Sequence, residues 1–177
     1  MIDFEIPPQI ENARKMIHDM AEKVMRPLAR YYDEHEHEKP WDFINMMWPI
    51  MRDQAARALR RGEAPREDRP SIANVSMVFT AEEITWGDAG LQLCLPGSGL
   101  GGAAIQAVAT QEQRERFLKR FSEGEAKWGA MAITEAGAGS DTAAITTTAV
   151  RDGDEWVLNG EKIFVTSGLM AAQESDG

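Results

Sequence analysis

Apolar positions recur at spacings of three and four over residues 8–122, then at alternate positions over residues 130–166. The pattern predicts helices first and strands afterwards. The first helix is expected over residues 8–38. Ile10, Ala13, Ile17, Met20, Val24, Leu28 and Tyr31 form its apolar face, with Met16 and Met20 as gap-filling core residues. Pro7 and Pro8 suit its entry, and Pro27, which has no N–H to donate, kinks or splits it. A second helix runs over residues 41–59, with Phe43, Ile44, Met47, Trp48 and Met51 apolar and Pro49 breaking or bending it. Residues 57–70 lose the periodicity and gain Gly62, Pro65 and Pro70, the signature of a surface loop.

Ser71 is placed to cap a third helix over residues 71–86, interrupted at Gly87–Gly90. Residues 91–110 resume helical spacing but carry Gly97, Gly99, Gly101 and Gly102. Gly inside a helix costs roughly 1 kcal/mol relative to Ala, so the segment serves either tight packing or room for a ligand. A further amphipathic helix over residues 112–122 turns Phe117, Leu118 and Phe121 inward. Beyond it the period changes. Residues 130–134 read as a short buried strand and 145–151 (ITTTAVR) as a Thr-rich one. Asp152-Gly153 and Asn159-Gly160 are turn dipeptides joining that strand to EWVL and then to EKIFVT. The expected product is an antiparallel meander with Trp156 and Leu158 on one face, Val157 on the other, and a last strand over residues 161–166. The fold class is α+β: an all-helical N-terminal domain, residues 1–125, then an incomplete antiparallel β-domain, residues 126–177.

Composition narrows the partners. The 177 residues include 29 acidic and 19 basic ones, a net charge of −10. That balance argues against nucleic acid and against anionic membrane held by charge. A single cysteine, Cys94, excludes an internal disulfide and makes a reducing, cytoplasmic setting the default. No apolar run reaches membrane-spanning length, and the first residues lack the basic-then-apolar order of a signal peptide. His35 and His37, in the acidic run 33–38, invite a metal reading, but residues two apart point in different directions on a helix. A solvated helix end is expected, and no metal site.

The chemistry concentrates in Glu135-Ala136-Gly137-Ala138-Gly139-Ser140-Asp141. Glycines let backbone N–H groups approach an anion, and Ser140 adds a hydroxyl. No third glycine follows at the dinucleotide spacing, no Gly-Lys-Ser/Thr ending marks a P-loop, and the segment after it is a strand rather than a helix. By itself the loop reads first as an ordinary turn between two strands.

AMAITEAGAGSD, a Thr-rich strand and then WVLNGEKIFVTSG, in that order, closely resemble the acyl-CoA dehydrogenase family. That family carries an aromatic-x-x-T-E-P-x-A-G-S-D segment and a later N-G-x-K-x-[WF]-[IV]-T-[NS]-G segment. Ala136 stands where Pro is usual and Met131 where an aromatic is common. AEEITWGDAG and ATQEQRERFLKRFSEGE are similar to the family's N-terminal helical domain. The resemblance implies FAD as cofactor and an acyl-CoA thioester as substrate, oxidised at its α,β bond in fatty acid metabolism. It implies an electron acceptor such as electron-transfer flavoprotein, and a homo-oligomer or a C-terminal partner chain. By match, Met131, Ala132, Ile133, Thr134, Gly139, Ser140, Phe164, Val165 and Thr166 would hold the cofactor. Thr134 would sit at the pyrimidine edge, Thr166 near N5 and O4, Phe164 against the ring, and Ser140 at phosphate or CoA. Gln92 and Pro96 would lie along the acyl cavity. The family's catalytic glutamate comes from a later domain, so no catalytic base is expected in this chain. Glu135 is a structural position in the family. Members are longer, and the chain reads as a fragment or half of a split enzyme, inactive alone. An acyl-CoA oxidase or flavin monooxygenase relative, and a non-catalytic helical interaction module, are the alternatives.

Overall fold

The computed structural model describes residues 6–61 and 72–173. The expected Ser71 cap and the 62–70 part of the expected loop lie outside these. The described residues fall into two compact units that divide at Ile50/Met51 and again at Leu95/Pro96.

The first unit is helical. Helix α1 (Pro8–Met20) passes into a π-helical turn (Ala21–Met25) and then into α2 (Arg26–Glu34). Pro27 explains the turn. It cannot donate to the carbonyl four residues back, and the Arg26 N–H reaches the Ala21 carbonyl five residues back. The wider turn moves the buried face by one position. Ala21 and Met25 are fully buried, Tyr32 packs on the core while Tyr31 is exposed, and Met16 stands in solvent, contrary to its expected core role. The core joins Ala21 and Met25 to Phe43, Met47 and Leu91, with Leu28, Ile84 and Leu95 packed on it. Gly87, the last residue of α4 (Ala73–Gly87), is buried, and a Cβ there would lie 2.8 Å from that of Ala21. Asp88 then accepts from the Leu91 N–H at 2.7 Å and starts α5 (Ala89–Leu93).

Helix α3 (Trp41–Arg61) runs on through Pro49. Asn45, whose carbonyl loses its partner to that proline, is exposed, as is Pro49, so the orphaned carbonyl lies on the solvent side of the helix, where its loss is tolerated. Residues 57–61 are therefore helix, not loop. The acidic run ends α2 as a solvated terminus, with His35 Nδ1 2.8 Å from the Tyr31 carbonyl and residues 33–39 exposed.

In the second unit the expected 91–110 helix is broken. Gly97 and Gly99 take positive φ, so residues 91–93 end α5 and helix resumes only in α6 (Gly99–Val108). Thr110 and Gln113 form a reciprocal cap for α7 (Gln111–Leu118), which tightens into a 3₁₀ turn (Lys119–Ser122). Leu118 and Phe121 are buried, but Phe117 is largely exposed. The only ladder among the described residues is β1 (Thr148–Asp152) against β2 (Glu155–Asn159), antiparallel, with Asp152 opposite Glu155. Gly153, at φ 60°, is the first central residue of the connecting two-residue turn. Both strands are exposed throughout, so the expected inward and outward faces are not distinguished by burial.

Two expected strands are absent. Residues 130–134 carry no ladder, and residues 161–166 make one backbone bond to another segment, from the Ile163 N–H to the Thr134 carbonyl, 2.9 Å, besides a local turn bond from the Gly168 N–H to the Val165 carbonyl, 3.1 Å. Phe164 (φ 54°) and Ser167 (φ 60°) are left-handed, which no regular strand accommodates. The Asn159-Gly160 dipeptide makes no hairpin. Gly160 instead lies so close to Thr147 that a side chain there would collide with it. A short helix, α8 (Gly168–Gln173), follows.

Candidate functional site

Glu135 sits at the centre of the second unit's polar architecture. It is 7% exposed, and five donors from two separate segments converge on its carboxylate. The Thr146 N–H and hydroxyl reach Oε2 at 2.8 and 2.7 Å. The Thr147 N–H and hydroxyl reach Oε1 at 3.0 and 2.5 Å. Lys162 Nζ, itself 20% exposed, reaches Oε1 at 2.8 Å and also donates to the Ile133 carbonyl at 3.0 Å. The Lys162 ammonium above all, then the Thr147 hydroxyl and the Thr146 donors, hold the Glu135 carboxyl well below the usual carboxylate range. It is an ionised anchor with its lone pairs taken. That arrangement suits structure and leaves no capacity for proton abstraction.

The glycine loop hangs from this anchor. Glu135 and Ala138 exchange backbone hydrogen bonds, both 3.1 Å, so the loop turns within four residues. Neither Gly137 nor Gly139 has positive φ, so the loop does not need glycine for a left-handed backbone. A Cβ built on either meets nothing within 4 Å. Their backbone is open to a ligand on the outside, the close approach expected of glycine here.

Of the residues expected to hold a cofactor, Thr134 is half-buried, and Ala132, Gly139, Ser140 and Thr166 are exposed. Met131 is 36%, Ile133 43% and Phe164 88% exposed. Val165 is half-buried. The Lys162 and Ile163 bonds bring the 131–134 segment beside the 164–166 segment, so the two motifs do form one neighbourhood. Its side chains are exposed or half-buried, apolar from Met131, Ile133 and Phe164 and hydroxyl-bearing from Thr134 and Thr166. Of the two expected substrate residues, Pro96 is fully buried and offers no surface. Gln92 belongs to the first unit, where its Oε1 accepts from the Thr85 hydroxyl at 2.7 Å. Thr146, Thr147 and Lys162 escape a residue-by-residue reading of the motifs. The signal that could have found them is a lysine inside N-G-x-K and a Thr run in a chain whose loop opens on a carboxylate.

The first unit holds a second polar cluster. Glu83, 8% exposed, takes His18 Nδ1 at 2.6 Å and lies 3.6 Å from the Arg14 guanidinium, while Trp86 stacks on the His18 ring at 4.2 Å. It ties α1 to α4. Among the described residues no group of His, Cys, Asp and Glu is placed to hold a metal ion, and no helix is long and apolar enough to cross a membrane.

Two family models match the chain: "Acyl-CoA dehydrogenase, N-terminal domain" over residues 7–125 and "Acyl-CoA dehydrogenase, middle domain" over residues 130–173. Among curated relatives, a 3-(aryl)acrylate reductase of Clostridium sporogenes is 38% identical over 161 residues, covering 89% of this chain and 40% of that protein. A short-chain specific acyl-CoA dehydrogenase of Clostridium acetobutylicum is 31% identical over 172 residues, covering 96% of this chain and 43% of that one. Among solved structures, butyryl-CoA dehydrogenase from Megasphaera elsdenii superposes with a TM-score of 0.72 at 28% identity, over 96% of this chain and 44% of that one. The chain thus spans about two-fifths of the length of the curated relatives it matches.

Proposed function

The chain belongs to the acyl-CoA dehydrogenase family, and from that premise we propose that it forms the flavin-facing part of an FAD-dependent enzyme that oxidises acyl-CoA thioesters at the α,β bond. The observation that carries the reading is the joining of the two motif segments through Lys162 and Ile163, beside a glycine loop whose outer side is open. The fit to a flavin rests on this chain's own surfaces. Met131, Ile133 and Phe164 offer apolar area for a ring system, Thr134 and Thr166 offer hydroxyls, and Gly139 with Ser140 offers unobstructed backbone and a donor for phosphate. When bound, FAD supplies the hydride chemistry. The residues named here orient it and exclude water from one side.

The functional boundary in this reading falls at residue 125: a helical domain over 1–125 and the start of a middle β-domain over 126–177. Gln92 serves the acyl side; Pro96 acts through packing only. Glu135 is fully engaged and does not act as the base in this reading, which takes the base from elsewhere in the active assembly. That assembly is a homo-oligomer or includes a partner chain, and it passes electrons to an acceptor of the electron-transfer flavoprotein kind. The lone Cys94 supports a cytoplasmic setting.

A second reading has its own support, because the relative at 38% identity is named a 3-(aryl)acrylate reductase. The same site could serve reduction of an aryl-substituted α,β-unsaturated acid derivative. The experiment is to titrate the purified chain with FAD and follow its visible absorbance, then add saturated acyl-CoA thioesters with an artificial acceptor, or arylacrylate derivatives with a reductant. Flavin binding without substrate-dependent bleaching is expected for this chain alone. Absence of flavin binding removes the reading, and bleaching by the chain alone requires a base within it. Activity restored by a C-terminal fragment with only one substrate class decides between the two reactions.

A further inference from the structure

Lys162 and Ile163 take three consecutive residues of the other motif. The Lys162 ammonium holds the Ile133 carbonyl (3.0 Å) and the Glu135 carboxylate (2.8 Å), and the Ile163 N–H holds the Thr134 carbonyl (2.9 Å). These are links across 27 to 29 residues of sequence. They fix how far the Thr166-bearing segment can slide along the Thr134-bearing one. A slip of one residue would exchange the Lys162 side chain for that of Ile163 or Glu161 and lose the ion pair. The other side of Glu135 has a second task. Its Oε2 holds Thr146 through both N–H and hydroxyl, and its Oε1 holds Thr147 in the same way. Residue 135 opens the glycine loop and residues 146 and 147 follow its end, so the carboxylate ties the neck of the 136–145 loop. Gly160 closes the arrangement from behind, its backbone pressed on Thr147. Just beyond Lys162, the left-handed φ of Phe164 turns its ring out into solvent, so the position of that ring also depends on where Lys162 is held.

We propose that Lys162 and Glu135 are positioning residues of the flavin site: Lys162 sets the register of residues 164–166 against residues 131–134, and Glu135 ties the neck of the Gly137–Ser140 loop. This rests on the flavin reading above. Neither residue touches the cofactor in it. Both act through the backbone they hold, as outer partners of ligating groups do.

The test uses the 177-residue chain as wild type, Lys162→Met, Lys162→Arg and Thr146→Val. Three quantities are read: FAD affinity by quenching of flavin fluorescence, the visible band of bound FAD, and hydrogen exchange of the Ile163 amide without flavin. Lys162→Met should weaken FAD binding roughly ten- to a hundredfold, the range for loss of an outer partner. It should also shift the flavin band and speed Ile163 exchange. Lys162→Arg, which keeps the charge and several donors, should recover most of each. Thr146→Val removes one hydroxyl from Oε2, leaves Lys162 in place, and should move the flavin band in the same direction by less. Wild-type affinity and band in a folded Lys162→Met protein overturn the proposal while leaving the flavin reading intact. If wild type itself binds no FAD, the flavin reading fails, and Ile163 exchange alone judges the register: unchanged exchange in Lys162→Met overturns that too. Should Lys162→Met not fold, Thr146→Val decides, and a wild-type band and affinity there count against the tied neck.

Discussion

Two glycine-rich stretches of the second unit use the same residue in opposite ways. In 97–102 the glycines are there to be touched. A Cβ on Gly101 would lie 2.6 Å from the Ala130 carbonyl oxygen and one on Gly99 3.0 Å from that of Gly129, while Gly129 itself is pressed on the Ser98 carbonyl. The Gly97 N–H and carbonyl bond to Lys127 (2.8 Å) and Gly129 (2.7 Å), so this stretch lies against the extended 127–130 backbone. In 137–139 a Cβ on either glycine would meet nothing, and the loop is held at its neck by the charge of Glu135. The first stretch is stabilised by close packing and the second by an anchored anion. They should therefore fail under different insults.

The largest expected effect is at the packed stretch. Gly129→Ala places a methyl group on the Ser98 backbone, which cannot swing aside, and should cost roughly 3 kcal/mol of unfolding free energy in urea. A loss within error would mean that the 97–102 contact is not what holds α6. Gly160→Ala comes next, at about 1–3 kcal/mol, because it pushes Thr147 off Glu135 and strains a φ of 156°. Its signature is faster exchange at the Thr146 and Thr147 amides with Gly97 and Gly129 unchanged. Equal loosening of both stretches would erase the distinction between them.

Acid provides the third test. The carboxyl of Glu135 is lowered in the folded state, so its contribution is complete above the ordinary carboxylate pKa and is lost only as pH falls below it toward the folded value. Protection of the Thr146 and Thr147 amides should stay level through neutral pH and decline below about pH 4.3, the usual Glu value. Glu135→Gln should be less protected at neutral pH and flat across that range. A decline of the same size in Glu135→Gln would assign it to other carboxylates. The smallest stability effect belongs to the open stretch. Gly139→Val meets open space at a φ that is not positive, so its cost should stay within about 0.5 kcal/mol. It should nevertheless abolish FAD retention, because the branched side chain stands where the ligand would approach. Normal flavin content in that variant would remove Gly139 from the site.

Local chemistry settled much of this protein in advance. The helix-then-strand order, the buried faces of Phe43, Met47, Leu118 and Phe121, the Gly153 turn and both family motifs are short-range matters of spacing and residue type. The structural standing of Glu135 was implied by the family resemblance, although its partners were not. What only the tertiary structure decided depends on contacts between segments far apart in the chain. Pro27 announced a break, but only the fold made it a π-helical turn that buries Ala21 and Met25 against Gly87. Residues 161–166 alternate like a strand, yet a strand needs a neighbour in register, and left-handed Phe164 and Ser167 deny it one. Both glycine stretches read alike as sequence. Whether a glycine is crowded or open is a property of what lies across from it, and that is fixed by the backbone of residues 127–130 in one case and by open space in the other.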